Sequence, residues 1–150
     1  MTETDLETIE QALAVSLPSS YRSIVLNYPQ ELLKLAELFK EDDDDEPETP
    51  ADLELLNDPK KIISENQHVR RPGIRYTESG DPWPADYFVV GIDGCGEYYA
   101  IDLRLGDESP VFYWDHESRE WSKDAPNIRE FVPQLVKQYY ENARDDGFID

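Results

Sequence analysis

The hydrophobic pattern of this chain changes period twice, and those changes constrain its fold more than any other feature. Up to residue 40 the apolar residues recur at helical spacing, from Tyr87 to Trp121 they alternate, and from about Asn127 the helical spacing returns. "YFVVGI" sets Phe88, Val90 and Ile92 against Tyr87 and Val89, and "EYYAIDL" sets Tyr99, Ile101 and Leu103 against Tyr98 and Ala100. "PVFYWDHE" sets Phe112 and Trp114 against Val111 and Tyr113, and "SREW" supplies a short fourth strand. Short connections make these strands consecutive and antiparallel neighbours. The expected fold class is therefore α+β: a twisted, largely antiparallel β-sheet with flanking N-terminal and C-terminal helices, in a single domain over residues 1–150.

The helices follow from spacing and caps. Leu6, Ile9 and Leu13 form the stripe of a first helix whose early acids, Glu3, Asp5 and Glu7, suit the positive end of its dipole. Pro18 ends that pattern, and Ser19 or Ser20 is placed to cap a second helix that buries Tyr21, Ile24, Val25 and Tyr28 and stops before Pro29. "ELLKLAELFK" gives a third. Thr49, Pro50 and Asp52 predict another helix opening, followed by Leu53, Leu55 and Leu56. The stretch from Lys60 to Arg75 holds the basic residues of the middle region and reads as irregular or weakly helical, and "DPWPADY" reads as a proline-rich turn. In the closing helix Ile128, Phe131, Leu135 and Tyr139 share a stripe, Asn127 and Glu130 resemble a capping pair, and Pro133 is expected to kink or delay it.

Charge bounds the partners. Against 14 Lys and Arg stand 34 Asp and Glu, a net charge of −20. Phosphate contacts need clustered Lys and Arg, so this balance argues against direct nucleic-acid binding and suits a basic protein partner. Seven of the eight residues from Glu41 to Glu48, among them Asp42, Asp43, Asp44 and Asp45, are acidic. Such a block repels itself and buries nothing, which predicts a mobile insertion loop lying partly across the basic stretch. The alternatives are a mimic of polyphosphate facing a basic partner, which comes next after the solvated loop, and a divalent-ion sponge. The chain opens with no cationic segment followed by an apolar run, no stretch approaches a membrane span, and Cys95 is the one cysteine. These features predict a cytoplasmic protein without membrane contact. The expected state is a monomer or weak dimer.

Three stretches resemble chemistry. "GIDGCGEYYAIDL" carries Gly91, Gly94 and Gly96 among acids, but a strand follows where a dinucleotide site needs a helix, and neither a P-loop Lys nor calcium-loop spacing is present. The reading left is a hairpin turn with glycines at positive φ or at a close backbone approach, at an expected cost of about 1 kcal/mol for alanine at Gly94 or Gly96. Cys95 sits in that turn without a recognisable base. In "WDHE", Asp115 and His116 point to opposite faces unless the strand ends between them, and the chain's two histidines, His68 and His116, argue against zinc. Trp114 is expected in the core between the sheet and a helix, with a polar turn after it. Trp83, Tyr98, Tyr99, Tyr113 and Trp121 could stack bases, but the charge opposes that, and core or sheet-surface roles fit them better. No cofactor, metal or catalytic residue is assigned.

The order of these motifs is similar to the SUKH superfamily, whose members include bacterial immunity proteins and a fungal cell-wall regulator. The resemblance rests on Leu17, Pro18, Tyr21 and Arg22 in "LPSSYRSIVL", on a Gly-Asp-Gly-Gly-like turn at Gly91, Asp93, Gly94 and Gly96, on Asp102 and Leu103, on Trp114 and His116, and on the closing "IREFVPQL". It covers roughly residues 5–28 and 86–137. The chain departs from the family pattern at Asn27-Tyr28-Pro29, where an Asn-Gly-Gly-like turn often ends the second helix, and in its acidic insertion. The resemblance implies a non-enzymatic antidote that binds a toxin domain, often a nuclease, or alternatively an intracellular adaptor or regulator of the same fold. An acidic surface suits occlusion of a basic cleft. The expected contact residues are Asp42, Asp43, Asp44, Asp45, Trp83, Asp115, His116 and Glu117.

Overall fold

The expected helical stripes pack on one another as well as on the sheet. In a computed structural model describing residues 1–40, 54–93, 96–145 and 147, the order is α1 (Glu3–Leu13), α2 (Ser19–Leu26), α3 (Gln30–Lys40), α4 (Pro59–Val69), β1 (Tyr87–Ile92), β2 (Tyr98–Asp102), a 3-10 segment (Leu103–Glu108), β3 (Val111–Asp115), β4 (Glu120–Ala125) and α5 (Ile128–Asp145). The strands form one antiparallel sheet in sequence order, flanked by N-terminal and C-terminal helices. Among the helices, α1 lies against α4 and α3 against α5. The acidic run, the helix opening at Thr49 to Leu53, Gly94 and Cys95 lie outside the described residues. Among the described residues no helix is long and apolar enough to cross a membrane.

Two differently built layers cover the sheet. On one face Tyr21 of α2 meets Phe88 edge-on with centroids 5.4 Å apart, and Phe131 of α5 meets Tyr99 at 5.1 Å. Leu6, Ile9, Val25, Leu32, Ile101, Val111 and Leu135 are buried in the same core cluster. On the other face the cover comes from the chain between α4 and β1. Tyr76 packs edge-on against Trp83 and Trp114, Trp83 against Tyr98 and Trp121, and Tyr87 stacks on Phe112 at 5.1 Å. Trp114 is thus buried as expected but beneath this aromatic segment, with its indole N–H donated to Tyr76 O at 2.7 Å.

Local chemistry explains the helix starts. Thr2 and Asp5 form a capping box on α1. Neither Ser19 nor Ser20 caps α2 through its side chain; Asp107, from the 3-10 segment, accepts from Ser19 Oγ at 2.9 Å and Ser20 N at 2.8 Å. Those hydrogen bonds hold the Asp107 carboxyl down at about 2. Arg22 ties α2 to α1 through Glu3 and Glu10. Of the stretch expected to be irregular or weakly helical, the part up to Val69 is a regular helix, α4, because Asp58 caps Lys60 N and Pro59 opens the first turn, and the part beyond it is irregular. The fourth strand runs to Ala125, beyond the expected "SREW", and α5 runs through Pro133.

The outer edge of β1 is closed, which removes a template for unwanted pairing. Leu55 and Leu56, expected in a helix, are extended there: Leu56 N donates to Val90 O at 3.1 Å and Ile92 N to Glu54 O at 2.9 Å. Further along, the amide of Asn66 in α4 imitates a strand. Its Nδ2 donates to Val89 O at 3.1 Å while its Oδ1 accepts from Val89 N at 2.8 Å. Asn66→Ala leaves both groups of Val89 without partners in a site with no exposure, and is expected to destabilise by about 3 kcal/mol. Hydrogen exchange at the Val89 amide should accelerate with it; an unchanged rate would show that the edge is closed by other means.

Candidate functional site

At one end of the sheet the β1–β2 connection meets the β3–β4 turn, and polar groups converge. Asp93, just past β1, donates its N–H to Glu97 O at 3.2 Å and accepts from Glu97 N through Oδ1 at 3.3 Å. Tyr113 of β3 donates its hydroxyl to Asp93 Oδ2 at 3.1 Å. Tyr98 pairs with Trp114, so one step further along the register sets Glu97 opposite Asp115. The strand ends at Asp115, the condition under which Asp115 and His116 can serve one centre. His116 Nδ1 lies 2.7 Å from Glu97 Oε1, and one donor atom each from Glu97, Asp115 and His116 falls within 4.8 Å of the others. Arg119, at φ 56°, closes the turn by donating its N–H to Asp115 O.

The environment of Glu97 is unusual. Its side chain is 9% exposed, and Oε2 is sealed from solvent without a hydrogen-bond donor. The neighbouring Asp93 carboxylate and burial push its carboxyl up, against the opposing pull of His116. Nearby, burial and then Asp93 and Asp124 raise the Glu54 carboxyl to about 7, and its Oε2 likewise lacks a donor. Burial, followed by Asp93, also raises the Tyr113 hydroxyl.

Of the expected contact residues, Asp115, His116 and Glu117 sit together on this turn, Asp115 half-buried and the other two exposed. Asp42, Asp43, Asp44 and Asp45 lie outside the described residues. Trp83 requires a correction: it is 5% exposed, donates its indole N–H to Tyr87 O and belongs to the aromatic layer, so its ring offers no free contact surface. The structural motif residues have distinct tasks. Leu17 and Tyr21 are core, and Pro18 stands at the start of α2. Asp102 caps the 3-10 segment and binds Arg104, so the Asp102–Leu103 pair carries Asp107 to the start of α2. Gly96 adopts φ +96°, as expected of a turn glycine, whereas Gly91 sits within β1 against the Glu54 backbone. Sequence reasoning missed Glu97 as a member of the site; the pairing register of β2 and β3 is the signal that would have placed it opposite Asp115.

The family model of the SMI1 / KNR4 family (SUKH-1) matches residues 1–134. No curated protein and no solved structure matches the chain.

Proposed function

We propose that this chain, which belongs to the SMI1 / KNR4 family (SUKH-1), is a non-enzymatic immunity protein that neutralises a cognate basic toxin by direct binding. The observation that carries this reading is the charge: a member of this family with a net −20 presents a field suited to a basic, phosphate-binding cleft. A toxin that cuts nucleic acid must expose cationic side chains to its substrate. An acidic partner steers toward those groups during encounter and covers them once docked.

The testing experiment is retention of partners from the native cell on the tagged full chain, followed by co-expression of each retained protein with and without it. Growth arrest by the retained protein alone, relieved by this chain, supports the antidote. A retained protein without toxicity overturns it in favour of an adaptor or regulator. Association with a basic toxin is expected to slow steeply as salt rises, since exposed charges are screened over about 8 Å at physiological ionic strength. Replacing Asp42, Asp43, Asp44 and Asp45 with Asn should lower the association rate and flatten that salt dependence while leaving the melting temperature nearly unchanged. Equal stopped-flow rates for parent and quadruple variant would put the contact surface elsewhere, with the turn at Asp115, His116 and Glu117 next to be tested.

A further inference from the structure

We propose that Glu97, Asp115 and His116 form a binding site for a divalent transition-metal cation of the zinc class. Glu97 stands just before β2, Asp115 ends β3 and His116 follows in the turn, so the pairing of β2 with β3 sets their spacing. Metal bonds of about 2.0–2.2 Å hold donor atoms roughly 3–4 Å apart, and a set already within 4.8 Å can close to that span by side-chain rotation.

The second, independent observation is the sealed oxygen of Glu97. Glu97 as a whole residue is 7% exposed, and its Oε2 has neither water access nor a donor. A buried carboxylate oxygen with no donor needs a positive charge or a proton beside it. A cation supplies the charge, and His116 with Asp115, both reached from solvent, gives it an entry path. An imidazole nitrogen beside carboxylate oxygens favours zinc-like cations over magnesium or calcium, which prefer all-oxygen sets. Three protein ligands leave one position for water or an incoming group. Tyr113, by holding Asp93, orients the surrounding shell.

The test uses the full chain after treatment with a chelator and needs no protein partner. Zn²⁺ is titrated by calorimetry, with Mg²⁺ and Ca²⁺ as comparators and Co²⁺ as a spectroscopic probe. The expected result is saturable one-to-one Zn²⁺ binding that raises the melting temperature. Glu97→Gln and His116→Ala should each weaken it by more than about tenfold. Glu117→Gln removes one negative charge from an exposed neighbour and should leave the affinity unchanged. Circular dichroism of each metal-free variant confirms that it is folded. Non-saturable binding, or equal Zn²⁺ affinity in Glu97→Gln and Glu117→Gln, would overturn the proposal. Either would mean only general attraction of cations to the acidic surface.

Discussion

Trp114→Ala is expected to destabilise the protein by about 3–5 kcal/mol, because it removes a buried indole from the centre of the aromatic layer. Tyr76 lies edge-on to it at 5.1 Å, Tyr98 is tilted against it at 5.9 Å, and Trp121 is its partner across β3 and β4. The truncation opens a cavity between the sheet and the segment leading into β1. It also strips the donor from Tyr76 O, which accepts the indole N–H at 2.7 Å. Trp114→Phe separates these effects: much of the ring area remains while the donor is lost, for an expected cost of about 1–3 kcal/mol. Urea unfolding of the three proteins measures both. If Trp114→Ala unfolds at the parent's midpoint, the ring is not part of the core.

The physical origin of each signal explains what could be read beforehand. Strand alternation and helical stripes are local, so the sheet, its order and the helices α1, α2, α3 and α5 were legible from spacing alone. Leu55 and Leu56 were misplaced because their extended form depends on β1, a partner more than thirty residues away, and on the hydroxyls of Tyr28 and Tyr139. For α4 the signal was present in Asp58–Pro59, a cap followed by a first-turn proline, and the basic residues after it obscured the pattern. Trp83 looked available for a partner because nothing in its own sequence shows that the turn folds back over the sheet. The meeting of Glu97 with His116 follows from strand register, which composition does not reveal. Of the two roles expected of the glycines between residues 91 and 96, Gly96 takes the positive φ and Gly91, which stands inside a strand, takes the close backbone approach.

Gly91→Ala should therefore be far more damaging than a substitution in the turn. A Cβ at Gly91 would stand 1.9 Å from Glu54 O and 3.0 Å from Glu54 C, with Tyr99 Cδ2 at 3.4 Å. The obstructing atoms are backbone, and that backbone is held from behind. Tyr139 accepts from Glu54 N at 2.9 Å, and Tyr28 donates its hydroxyl to Leu55 O. To admit the methyl group the segment must retreat, which breaks the bonds from Ile92 N to Glu54 O and from Leu56 N to Val90 O and pulls on both tyrosines. The expected loss is about 3 kcal/mol or more, from overpacking together with unpaired backbone groups. Gly96 provides the contrast: a Cβ there meets nothing within 4 Å, so only its φ of +96° opposes a side chain, at about 1 kcal/mol. Urea midpoints should fall in the order parent, Gly96→Ala, Gly91→Ala, and exchange at the Ile92 and Leu56 amides should accelerate in Gly91→Ala alone. If the two variants lose equal stability with those amides still protected, the chain at Glu54 yields without cost, and β1 owes its closed edge to Asn66 and α4.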